Sequence, residues 1–145
     1  MNILVINGPN LNLLGERETE IYGKNTLEEL MMWLETSADS QNHNFKFYQS
    51  NHEGTIIDSI HDEREWADGI IINAGALSHY SYAIRDAISS VNIITTEVHI
   101  SNIMEREDFR KISILKDVCV AQIYGLGKSS YIEALKVINE KYNNE

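Results

Sequence analysis

Five short runs of branched and apolar residues, at 3–6, 45–48, 69–72, 93–98 and 118–124, recur along this chain with helical patterns between them. That alternation is its strongest constraint. Runs so short cannot bury themselves, and the last three read as strands covered on both faces, as in a parallel sheet. The stretches between them supply the cover. Leu27, Leu30, Met31, Leu34 and Ala38 share one helical stripe, opened by Thr26 with Glu29 three residues later as a capping box. A second helix starts at Thr55 and turns Ile56, Ile60 and Ala67 inward, and a third, through 80–91, uses Ile84, Ala87, Ile88 and Val91. The last places Tyr131, Ala134, Leu135 and Ile138 on its core side. Strands alternating with helices of this size predict an α/β three-layer sandwich, a parallel sheet with helices on both faces. With five strands the expected topology is flavodoxin-like, in the order 2-1-3-4-5.

A chain of 145 residues, 43% hydrophobic, fits one domain over 1–145 with one core and no linker. Such a length buries roughly 70% of the surface its unfolded form exposes. Lys plus Arg number 12 against 22 Asp plus Glu, and the formal charge of -10 repels phosphate backbones and anionic lipid. Neither a nucleic acid nor a membrane is an expected partner. The apolar start NILVI is stopped by Asn7, Gly8 and Pro9, so it is neither a signal-peptide core nor a span, and a soluble protein is expected. The single cysteine, Cys119, lies in VCVAQIY and reads as a small hydrophobe held by a buried strand. With no disulfide possible within one chain, a reducing cytoplasm fits.

In open α/β sheets ligands bind beyond the carboxyl ends of the strands. Polar residues crowd there. The first run is followed by Asn7, Gly8, Pro9 and Asn10, and the second by Ser50, Asn51, His52, Glu53 and Gly54. Asn73, Ala74, Gly75, Ser78 and His79 follow the third, while the fourth ends in Glu97, Val98 and His99 and runs on to Ser101 and Asn102. Any one of these amides or imidazoles is an ordinary turn former or helix cap; several converging on one rim make a site. Helix starts after Gly75 and Ile100 add backbone N–H groups suited to a carboxylate. Rival motifs fail on single residues. GLGKSS, residues 125–130, lacks the glycine a phosphate loop needs where Gln122 stands, and reads as a strand-to-helix turn. His52 and Glu53 would need a second histidine where Ile56 stands to make a zinc-peptidase helix, so no metal is expected.

The stretch LGERETEIYG, residues 14–23, sets Arg17 and Tyr22 five residues apart in a long polar loop. An unpaired phenol, with a pKa of about 10, costs about 4 kcal/mol to hold as phenolate at neutral pH. A guanidinium within about 4–6 Å offsets part of that, and Arg106 or Arg110 in NIMEREDFRK is the candidate second cation. Closing the loop over a substrate would exclude water and strengthen these pairs. The residues alone reach a general base, a general acid and an anion site.

Taken in order, NGPNLNLLGERETEIYG, QSNHEG, INAGALSHYS with IRDA, and EVHISN followed by REDFR resemble the type II 3-dehydroquinate dehydratases over nearly the whole chain. The resemblance implies a cofactor-independent lyase that converts 3-dehydroquinate to 3-dehydroshikimate by anti elimination through an enolate, in the shikimate pathway or quinate breakdown. It implies trimers that build a dodecamer. Tyr22 would be the base, Arg17 its partner on a mobile lid over about 10–24, and His99 the acid oriented by Glu97. Asn10 would hold the water that stabilises the enolate. Asn73 and the N–H groups of Ile100 and Ser101 would take the carboxylate, His79 and Arg110 the ring hydroxyls, with Arg106 in the same basic segment. Asp86 would reach a neighbouring subunit's site. Ala74 and Thr19 stand where the family usually has proline, and Lys111 and Ile112 where histidine is common, which predicts a less rigid loop at 74 and an altered closing rate of the lid at 19. The alternatives are a flavodoxin-like module that binds a nucleotide or flavin without catalysis, which the failed phosphate loop disfavours, and an assembly protein that has lost catalysis.

Overall fold

Along the first strand, Ile3 and Val5 enter one hydrophobic core while Leu4 and Ile6 enter another, because successive side chains of a strand point to opposite faces. A strand built this way must be covered twice. The computed structural model describes residues 1–145 and places that strand, β1 (Asn2–Asn7), at the interior of a parallel sheet. The others are β2 (Asn44–Gln49), β3 (Gly69–Asn73), β4 (Ile94–His99) and β5 (Ala121–Tyr124), in the order β2-β1-β3-β4-β5. This is the expected flavodoxin-like topology.

The helices are α1 (Thr19–Tyr22), α2 (Leu27–Thr36), α3 (Glu53–Asp62), α4 (Tyr82–Val91) and α5 (Ser129–Asn143). Leu30, Met31 and Leu34 of α2 and Tyr131, Ala134, Leu135 and Ile138 of α5 close the core around Ile3 and Val5. Ile56 and Ile60 of α3 with Ile84, Ala87 and Ile88 of α4 close the other. Each fully buried Leu or Ile contributes about 1.5–3 kcal/mol, so the two apolar layers hold the sheet from both sides. The predicted cap is present: Thr26 Oγ1 accepts from the Glu29 N–H at 3.2 Å and donates to the Glu29 carboxylate at 3.1 Å. Ser81 caps α4 in the same way, accepting from the Ile84 N–H at 3.1 Å.

Several boundaries differ from the sequence reading. Helix α2 stops at Thr36, before Ala38, which is exposed in a following helical turn. Hydroxyls cause the stop: Thr36 donates to the Met32 carbonyl, and Ser37 and Ser40 to that of Leu34, taking acceptors the helix would have used. Helix α3 begins at Glu53 rather than Thr55 and ends at Asp62, so Ala67 is buried from the loop beyond it. Helix α4 begins at Tyr82, after its Ser81 cap. Strand β5 is shorter than 118–124 and is only partly buried, since it forms an edge with one neighbouring strand. Cys119 therefore precedes the strand and is half-buried. Burial, with the Glu97 charge adding to it, pushes its thiol up to about 12, so the inert reading stands on a different placement.

Register aligns the carboxyl ends of the strands. Asn7 lies opposite both Gln49 and Asn73, and Glu97 opposite Gln122. The loops after β1 and β3 touch backbone to backbone: a Cβ on Gly8 would stand 2.6 Å from the Ala74 carbonyl oxygen. Only glycine permits that approach.

Candidate active site

Beyond this rim lies a cleft lined by Asn10, Arg17, Tyr22, Asn73, His79, His99, Ile100, Ser101, Arg106 and Arg110, with Leu11 and Ile103 as apolar wall. Ten of the twelve residues to which the resemblance gives a role meet there. Glu97 stands behind His99, and Asp86 lies exposed on α4, outside this chain's cleft.

Tyr22 is carried by α1, in a stretch expected as plain loop that instead contains a helical turn at Leu11–Leu13 and α1 itself. Leu14, 2% exposed, pins that stretch to the core. The Tyr22 hydroxyl oxygen accepts from Arg106 Nη1 at 2.6 Å and from Arg17 Nη2 at 3.3 Å. Arg17 also lies over the ring, 4.5 Å from its centroid. Of the two candidates for second cation the geometry selects Arg106. Arg110 instead bonds the Glu107 carboxylate and holds it below its usual range, as Arg17 does for Glu18. Arg106 Nη1 reaches Ser101 Oγ as well, at 3.2 Å, joining the phenol to the turn after β4.

His99 ends β4, 6% exposed, its Nε2 2.6 Å from Glu97 Oε1. Glu97 has no exposed surface. A buried carboxylate needs donors, and it has three: His99, the Ser113 hydroxyl at 2.7 Å and the Gln122 amide at 3.4 Å. The pairing sets the orientation of the imidazole and leaves its other nitrogen for chemistry. His79 stacks near it, ring centroids 6.3 Å apart, with Phe109 edge-on to His79 at 5.6 Å. His79 Nδ1 lies 2.8 Å from the Ile112 carbonyl, which can only accept, so Nδ1 carries the proton and Nε2 of the neutral ring is an acceptor. Burial is the main cause that lowers its pKa and favours that neutral form.

The corner expected to take an anion is built from backbone. The Ile100 and Ser101 carbonyls accept from Gly127 and Gly125 at 3.1 and 3.0 Å, while the N–H groups of Ile100 and Ser101 donate to no backbone carbonyl. The turn 125–130 is the strand-to-helix turn expected of it, with both glycines at positive φ. Asn73 is fixed at both ends of its amide: Oδ1 accepts from the Gly75 N–H at 3.2 Å, and Nδ2 donates to the Tyr131 hydroxyl at 3.2 Å. Asn10, left-handed at φ 70°, is held by its backbone N–H on Asn51 Oδ1 at 2.9 Å.

Not every rim residue faces the cleft. Asn7 turns inward, accepting from Tyr131 at 2.6 Å, and Glu53 accepts from the Ser81 hydroxyl at 2.6 Å. Sequence reasoning missed Ser113, Gln122 and Tyr131. Gln122 becomes visible once strand order is known, since it faces Glu97 in register; nothing local marks Ser113.

A family described as Dehydroquinase class II matches residues 1–139. A 3-dehydroquinate dehydratase of Caldicellulosiruptor saccharolyticus is 58% identical over 139 residues, covering 95% of this chain and 96% of that protein. The crystal structure of type II dehydroquinase from Butyrivibrio crossotus superposes with a TM-score of 0.92 at 53% identity, over 96% of this chain and 97% of the other. That of Propionibacterium acnes does so at 0.90 and 37% identity, over 96% of each chain.

Proposed function

Because this chain belongs to the class II dehydroquinases, and so dehydrates 3-dehydroquinate, we propose the roles its cleft residues play in that reaction. The enzyme is a lyase of the shikimate pathway, and its product is 3-dehydroshikimate. Residues 1–145 act as one catalytic domain with a lid over about 10–24. Tyr22, as phenolate, removes the proton alpha to the ketone. The electron pair moves onto the carbonyl oxygen as an enolate, which Asn10 stabilises through a held water. The enolate then collapses, forming the ring double bond and breaking the bond to the departing hydroxyl. His99 gives that oxygen a proton, so it leaves as water. Tyr22 ends protonated and His99 neutral, and one proton must pass between them to reset the site. Base and acid come from different elements, which suits attack on opposite faces and hence anti elimination.

One observation carries this reading: a phenol oxygen bonded by two guanidinium groups shares a cleft with an imidazole backed by a buried carboxylate. Charge-assisted bonds from Arg106 and Arg17 stabilise the phenolate, and Glu97 stabilises the imidazolium. Asn73 and the Ile100 and Ser101 N–H groups take the substrate carboxylate, while His79 and Arg110 take ring hydroxyls. Adding 3-dehydroquinate to pure protein should develop the ultraviolet band of a conjugated enone carboxylate. If Tyr22→Phe develops that band at the unaltered rate, the base assignment is overturned.

The active particle is a trimer, four of which form a dodecamer, with Asp86 entering the neighbour's cleft. Supporting this, Tyr80, Tyr82, Phe109 and Ile112 are 63%, 68%, 54% and 69% exposed on the flank that carries His79 and α4. Isolated subunits rarely leave so much apolar surface together. Light scattering should report three or twelve subunit masses, and a monomer with full activity would overturn this. No helix is long and apolar enough to cross a membrane, and a half-buried, unpaired Cys119 suits a reducing cytoplasm.

A further inference from the structure

Ser113 lies outside the cleft lining, yet its hydroxyl is 2.7 Å from Glu97 Oε1, the same oxygen that meets His99 Nε2 at 2.6 Å. A serine has one proton to donate. The Ser78 carbonyl, at 3.3 Å, is the competing acceptor, and the shorter bond to a charged oxygen wins. The lone pairs of Ser113 Oγ are used too, accepting from the Leu115 N–H at 3.2 Å. The hydroxyl is therefore aimed at Glu97 by its own backbone.

That backbone is fastened to the loop after β3. Ile114 donates to the Ser78 carbonyl at 2.9 Å, and the Ile112 carbonyl accepts from His79 Nδ1 at 2.8 Å. Ser113 stands between these two tethers. Without it, Glu97 Oε1 keeps His99 alone and Oε2 keeps only the long bond from Gln122 at 3.4 Å. A buried carboxylate so released can rotate or take up a proton, and either change withdraws it from the imidazole.

We propose that Ser113 is a positioning residue for the acid: it holds the Glu97 carboxylate in the rotamer that presents Oε1 to His99. The inference rests on His99 being the acid. It assigns Ser113 no contact with substrate, so the loss on removing the hydroxyl falls on the elimination step. Ser113→Ala should lower kcat by about tenfold or more, the size expected for one hydrogen bond to a charged group, with KM held within about twofold. Ser113→Thr, which keeps the hydroxyl, should stay within about threefold of the parent. Steady-state kinetics on the intact protein, with thermal midpoints as a check on folding, read these outcomes. An unchanged kcat in Ser113→Ala overturns the proposal, as does a raised KM at constant kcat, which would place the effect on the substrate-binding segment. Equal damage from Ala and Thr also overturns it, since packing would then be the cause. His99→Ala separates the two levels. If that variant turns over normally, the acid assignment fails and this inference with it; if it is crippled while Ser113→Ala is not, only the inference fails.

Discussion

His99, 6% exposed, sits on the end of an interior strand and leans on a carboxylate wholly out of water, whereas Tyr22 closes a four-residue helix in a stretch where, from 12 to 24, only Leu14 is buried. One group leans on a buried carboxylate; the other rests its ring against the core and has its oxygen held by charge. The proposed acid needs no freedom, because the sheet that carries it also carries Glu97, two residues back on the same strand. The proposed base has to let substrate in. The contacts of its oxygen are of a kind that breaks and reforms easily, two guanidinium groups from segments 84 and 5 residues away in sequence. On the proposed roles, rigidity goes to the half of the site that meets the product water, and reversibility to the half that meets the incoming ring.

This contrast is tested most severely at Tyr22. Tyr22→Phe keeps the ring and loses the oxygen, and kcat should fall by about a thousandfold with an unchanged circular dichroism spectrum. Retained activity would strip Tyr22 of its proposed chemical role. His99→Ala comes next, with kcat reduced by about a hundredfold and ligand affinity nearly kept; a loss of affinity alone would make the strand end a binding site instead. Arg106→Met removes the shorter of the two bonds to the phenol, and kcat should drop by about ten- to a hundredfold, more than in Arg17→Met. The reverse ranking would mean that the lid supplies its own activating charge.

Smaller effects sharpen the picture on the rigid side. Ala74 has φ -77°, close to proline's fixed angle, its N–H donates to no backbone carbonyl, and it follows a strand residue. Ala74→Pro should raise stability by about 0.4–1 kcal/mol, read as a higher urea midpoint, by restricting the unfolded chain. Destabilisation would show that Gly8, pressed on the Ala74 carbonyl, leaves the ring no room. The smallest effect is one of pH. Burial lowers the pKa of His79, so the folded state binds fewer protons than the unfolded one in the ordinary histidine range. Stability is then full above about 6.5 and is lost as pH falls below it towards the lowered folded-state value, and His79→Gln should flatten that slope. His43, lowered by burial too, keeps the residual slope nonzero.

What the sequence made legible was local pattern. Thr26 and Glu29 announce their own capping box, and the branched runs announce a parallel sheet, because neighbours a few residues apart decide both. Features set by distant partners were not legible. Helix α2 looks able to continue to Ala38 until the hydroxyls of Ser37 and Ser40 are seen to reach the Leu34 carbonyl. Asn7 reads as a rim residue, yet it bonds Tyr131, 124 positions on. Strand β5 shares the composition of the buried strands but has a neighbour on one side alone. The choice of Arg106 over Arg110 likewise depends on how one irregular segment lies against the turn that carries Tyr22, 84 residues earlier.

The shared nitrogen of Arg106 has a practical consequence. Its two N–H bonds are already committed, to the Tyr22 oxygen at 2.6 Å and to Ser101 at 3.2 Å. An oxyanion taken up at the proposed Ser101 corner would compete for a donor that the phenol also uses. Sulfate or phosphate in the assay buffer should thus blunt the enzyme without any resemblance to its substrate, and inhibitor design gains as much from relieving that competition as from filling the ring's place.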